Sequence, residues 1–183
     1  MRRIGLLVSR WILGGYLTVH GAQKLFGAFG GHGLEATAAG FASLGLRPAK
    51  AAAILASVSE IGGGVLTATG VADPVGLVAA AGTMAVATTV HRGRGPLAQK
   101  GGFELPLTNL ALALALMSSP GSTGSRLRLP RSLTRLVVVG GIGAAVVAIG
   151  QILFARPANV GSEGHSTSVV QTVAQAEHEV SNG

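Results

Sequence analysis

The 183-residue chain has no cysteine. Disulfides, thiolate nucleophiles, cysteine-ligated zinc and iron–sulfur clusters are therefore excluded from it, and any thiol chemistry must belong to a partner or a diffusible substrate. Charge is also scarce, at 11% of residues against about 25% in an ordinary soluble domain. Aromatic residues make up 4%. With so few stacking rings, the net charge of +7 does not point to nucleic acid. The arginines sit instead at the ends of apolar runs, where positive charge orients a membrane protein and meets anionic lipid headgroups. What is abundant is apolar: 48% of residues are hydrophobic and the mean hydropathy is +0.53. The composition fits an all-α integral membrane helix bundle whose first partner is lipid.

Residues 49–71 organise the rest. Between Lys50 and Asp73 the only charge is Glu60, in a run long enough to cross a bilayer. A carboxylate at that depth costs about 2.5 kcal/mol or more, so it should face protein or a wet cavity. Gly62, Gly63 and Gly64 follow at once and let a neighbouring helix approach.

In chain order, a first span covers residues 4–26. Arg10 breaks its apolar core and no small-x-small cleavage site follows, so it reads as a retained helix and not a signal peptide. Residues 27–46 form a glycine-rich connection with a short amphipathic piece on Leu34, Ala38 and Phe41. The second span is 49–71, the third 75–90 and the fourth 103–117, with a basic loop at 91–102. A loop at 118–130 leads to a fifth span at 136–154, where Gly140, Gly143 and Ala144 suit close packing. The expected organisation is a four-helix bundle over 1–120, a loop and additional span over 121–156, and a polar, mostly disordered tail over 157–183. Val169, Val173, Ala176 and Val180 share a helical face in that tail. The loop charges tie at seven cations per side, and the dense arginines at 2–3 and 126–135 favour a cytoplasmic N-terminus in the plasma membrane.

Helix parity gives a sharper pattern. His20 and Lys24 end the first span, four residues apart on one face, and His91 ends the third, which runs the same way. Gln99, Lys100 and Glu104 open the fourth span on that side, and Asn109 lies further down it. Glu60 lies about 15 Å below the same surface. These groups form a polar cup over one buried acid, with Glu60 and Glu104 as the candidate proton-handling acids and His20, Lys24, His91, Gln99 and Asn109 as ligand-binding residues. The structural alternatives are that Glu60 only pins helix register, that Lys24, His91 and Lys100 only meet headgroups, and that Glu104 caps its helix. Arg10 is expected to pair with carbonyls or an acid. A haem held by His20 and His91 is the weaker reading, and no metal site is expected.

Four short motifs in order carry a resemblance. Arg10 with Leu13-Gly14-Gly15, then His20-Gly21-Ala22-Gln23-Lys24-Leu25-Phe26-Gly27, resembles the start of DoxX-family membrane proteins. So do Ser59-Glu60-Ile61-Gly62-Gly63, His91, and Gln99-Lys100-Gly101-Gly102-Phe103-Glu104-Leu105. The likeness covers residues 4–118 and implies a four-helix membrane bundle, with Gly21, Gly62, Gly63, Gly101 and Gly102 as packing glycines. It also implies kinship to the DoxD-type subunit of thiosulfate:quinone oxidoreductase and a role beside oxidoreductase partners in thiol or oxidative stress. The fifth span and the tail are additions to that pattern. Nothing in the residues marks a cofactor, and a quinone is the one that the resemblance admits. The leading expectation is thus a membrane component of a thiol- or thiosulfate-to-quinone redox system. A non-enzymatic scaffold for peripheral proteins and a proton-coupled carrier of a small solute are the alternatives. Homo-oligomerisation is left open.

Overall fold

The computed structural model describes residues 2–119 and 130–155, and among them the chain is helical throughout, without a strand. Six α-helices follow one another: α1 (Arg2–Phe26), α2 (Gly33–Ser43), α3 (Ala49–Thr69), α4 (Val75–His91), α5 (Glu104–Ser118) and α6 (Arg131–Phe154). Short 3-10 turns at Ala28–Gly30, Arg92–Arg94 and Ala98–Lys100 fill the connections. The connection expected over 27–46 holds a full helix, α2, and its apolar face does pack, with Ala38 buried and Leu34 and Phe41 half-buried. Helix α6 starts five residues before the expected 136, directly after Pro130, because 131–135 contains no helix breaker. The tail at 157–183 and residues 120–129 of the preceding loop lie outside the described residues.

Glycine decides how the bundle closes. Helix α3 ends at Gly70, whose φ of 65° turns the chain and whose N–H reaches Leu66 O at 2.9 Å. Along the α1–α3 seam, Gly14 lies against Gly64, and Gly21 lies against the Ser57 carbonyl and Ile61. On the other side of α3, Gly63 meets Ala79 and Gly76 meets Leu66 and Thr67. Gly62 does not take part: it is exposed, with open space where a side chain would be. Three consecutive glycines on a helix span about 200° at 100° per residue, so they cannot all face neighbours. Gly101 and Gly102 also pack no helix. They shape the loop before α5, Gly101 with a φ of 72° and Gly102 pressed against the Gly95 and Leu97 carbonyls.

Leu13 and Leu17 of α1 meet Leu77, Ala80 and Met84 of α4 and Ala113 and Leu116 of α5 in one apolar core. Much apolar surface stays outside. Trp11 is 64% exposed, Leu136 71% and Val139 68%, the reverse of what water selects and what lipid tails accept. Helices α3 and α6 are long and apolar enough to cross a membrane. No residue of α6 is buried; it leans on α4, with Ala145 near Gly82. Its expected packing glycines, Gly140 and Gly143, meet nothing among the described residues. The far end of α6 is clamped instead: the Gln151 side chain accepts the Arg47 N–H and donates to the Arg47 carbonyl, both at 3.2 Å.

Candidate functional site

Helix α1 carries Tyr16, His20 and Lys24 four residues apart, so all three lie on one stripe of its surface. The close approach at Gly21 lets that stripe reach α3. Lys24 Nζ sits 2.5 Å from Glu60 Oε1. The Glu60 side chain is 3% exposed and that of Lys24 29%, so the ammonium faces the outside and the carboxylate the inside. Tyr16 and His20 stack with ring centroids 4.4 Å apart at 43°. Ser57, one turn before Glu60, spends its hydroxyl on the Ala53 carbonyl at 2.7 Å and leaves the acid alone.

The second carboxylate oxygen carries the functional content. Glu60 Oε2 is buried and has no hydrogen-bond partner among the described residues. A buried oxygen in that condition costs about 1–3 kcal/mol, which a hydrogen-bond donor would recover. The stripe therefore presents an ammonium, an imidazole, a phenol and an unsatisfied carboxylate oxygen. Such a set is chemically able to hold a small polar group and a proton at Glu60 Oε2.

A second ion pair anchors the other end of α1. The Arg10 guanidinium grips the Asp73 carboxylate with both terminal nitrogens, one of them 3.1 Å from Oδ1, and also donates to the Thr67 carbonyl at 3.1 Å. Both side chains are buried, Asp73 to 3% exposure. This is the acid-plus-carbonyl pairing expected of Arg10, with the α3–α4 turn as its source.

The remaining sequence candidates lie at the end of α4, on the α4–α5 connection and on α5. His91 ends α4 and its Nδ1 bonds the Gly101 carbonyl at 2.6 Å. Glu104 is exposed and accepts the Ala98 N–H at 3.0 Å, closing the loop in front of α5. Gln99 and Lys100 are exposed on that loop, and Asn109 is half-buried on α5. The structure thus pairs Lys24 with Glu60, sets His20 one turn before Lys24 against Tyr16, and engages His91 and Glu104 in the α4–α5 connection, on which Gln99 is simply exposed. Sequence reading passed over Tyr16 and Asp73. The four-residue step from Tyr16 through His20 to Lys24 is a usable signal for the first, whereas nothing in the sequence separates Asp73-Pro74 from an ordinary turn.

The DoxX family model matches residues 5–92. That stretch contains Arg10, Tyr16, His20, Lys24, Glu60, Asp73 and His91, and it stops short of Gln99, Glu104 and Asn109. No curated protein and no solved structure matches the chain.

Proposed function

The chain belongs to the DoxX family through its first half, residues 5–92, and from that premise we propose that it is an integral membrane component of a thiol- or thiosulfate-to-quinone redox system. Helices α1, α3, α4 and α5 are its four-helix membrane core, and α6 is a fifth span leaning on α4. The reading rests on the unsatisfied Oε2 of Glu60 beside Lys24, buried within a helix otherwise apolar enough to cross a membrane.

A quinone headgroup suits the donors and acceptors of this stripe. Its carbonyl oxygens accept from Lys24 and from a phenol such as Tyr16, and a quinol hydroxyl donates to Glu60 Oε2. Two-electron acceptance, which no residue of this chain supplies, would come from the quinone. In the overall balance two thiols of a partner or diffusible donor join as a disulfide, and their two electrons and two protons convert quinone to quinol. The chain's own part is to bind the headgroup, exclude water around it and hold a proton at Glu60. Peripheral or membrane-bound oxidoreductase proteins supply the electrons.

The test is quinone reduction in vesicles holding the protein and its co-purified partners, with a thiol or thiosulfate donor. Glu60→Gln should lower the rate at least tenfold while partners still co-purify, because one charge-assisted hydrogen bond is worth about 1.5–3 kcal/mol. An unchanged rate removes Glu60 from the mechanism and favours the scaffold reading.

A further inference from the structure

We propose that the loop joining α4 to α5 is a binding site for the phosphates of anionic lipid headgroups, made by Arg92, Arg94 and Lys100. The three cations fall within nine residues and all are exposed. Among the described residues none of them enters an ion pair. Other cations at this end of the bundle are already engaged. Arg47 donates to the Ala42 and Leu46 carbonyls, Lys50 pairs with Glu35 at 2.6 Å, and Lys24 pairs with Glu60. Among the described residues at this end of the bundle, free charge is therefore concentrated on this loop.

The loop is held by more bonds than a plain connection needs. The Phe103 N–H reaches Gly95 O at 3.1 Å and the Glu104 N–H reaches Pro96 O at 2.9 Å. Lys100 and Gly102 both donate to Leu97 O, at 3.0 and 2.9 Å. His91 and Glu104 close the ring through their side chains. At Gly101 an added Cβ would lie 3.2 Å from Arg94 Nη1, so the Arg94 side chain lies across the loop beside Gly101. A pre-ordered site of this kind loses little conformational entropy when it binds.

The occupant follows from charge and place. Phosphate matches guanidinium and ammonium donors. Leu97, 53% exposed between the cations, suits the acyl boundary just beneath a layer of phosphates. The proposal rests on the reading of α4 and α5 as membrane helices, which puts their connection at headgroup level.

The experiment measures binding of a fluorescent short-chain phosphatidylglycerol to the full-length protein in neutral detergent, with phosphatidylcholine as reference. Each of Arg92→Gln, Arg94→Gln and Lys100→Gln should weaken phosphatidylglycerol binding about fivefold, and the triple variant about a hundredfold, following ~1 kcal/mol per basic residue near a membrane surface. Arg47→Gln should leave it unchanged. Equal binding by the triple variant, equal affinity for phosphatidylcholine, or displacement by inorganic phosphate at equal concentration overturns the proposal. Unaltered melting temperatures identify the variants as folded. The membrane reading is read separately, since the chain lacks native cysteine. Gly93→Cys should react with an impermeant maleimide from one side of sealed vesicles, and that result beside lipid-indifferent binding sinks the lipid site alone.

Discussion

Glu60 binds Lys24 through one carboxylate oxygen and keeps its other oxygen buried without a partner. The asymmetry is the observation on which the proposed site rests. A pair that only pins two helices gains nothing from an oxygen left bare, whereas a site that takes up a donor needs one.

Removing one partner should cost more than removing both. Glu60→Leu or Lys24→Met alone should destabilise the bundle by about 2–3 kcal/mol, below the usual figure for a buried pair because Lys24 can turn toward water or headgroups. The double variant Lys24→Met/Glu60→Leu should recover most of that loss. Melting temperatures in one detergent check the cycle, and additive losses would mean the pair is not coupled.

The glycines of α3 predict opposite signs two residues apart. A Cβ at Gly64 would lie 2.5 Å from Thr18 Oγ1 and 2.6 Å from the Gly14 carbonyl. Gly64→Ala should therefore push α1 off α3 and cost about 1–3 kcal/mol. Gly62 faces open space, and Gly62→Ala should stabilise by about 0.5–1 kcal/mol through helix propensity. Thermal unfolding of the two variants side by side decides it.

Arg10 and Asp73 tie the start of α1 to the α3–α4 turn. Asp73→Asn leaves a buried guanidinium facing a neutral amide and should cost about 3 kcal/mol. Arg10→Lys should not restore stability, since an ammonium cannot make the two parallel bonds of a guanidinium. Full recovery in Arg10→Lys would show that charge alone holds the turn.

The clamp between Gln151 and Arg47 predicts how α6 stays on the bundle. Gln151→Ala removes two exposed hydrogen bonds, so α6 should loosen at its end for about 1 kcal/mol, with quinone reduction unchanged. Limited proteolysis after Phe154 should then accelerate, and an unaltered digestion pattern would count against the clamp.

The sequence made part of this legible. A single acid in a long apolar run marked Glu60, and the helical repeat marked His20 and Lys24 as one face. Helix parity placed the ends of α1 and α4 and the start of α5 on one side. Parity fixes depth but not azimuth, so it grouped His91 and Glu104 with the cup without showing what their side chains bond. They bond instead within their own loop, at Gly101 and Ala98. Gly62 misled for a related reason: composition shows that small residues are present, and only the rotation of α3 against α1 shows which of them touch. Asp73 was hidden because an Asp-Pro turn looks the same whether or not a buried arginine, 63 residues earlier, holds its carboxylate.

The central claim is that Glu60 and Lys24 together form a ligand site, and direct binding of a short-chain quinone to the purified protein tests it most closely. Wild-type protein should bind saturably, Glu60→Gln and Lys24→Met at least tenfold more weakly for the loss of ~1.4 kcal/mol or more, and exposed Glu104→Gln equally well. Binding that survives both Glu60→Gln and Lys24→Met, or no saturable binding by the wild type, would contradict the account.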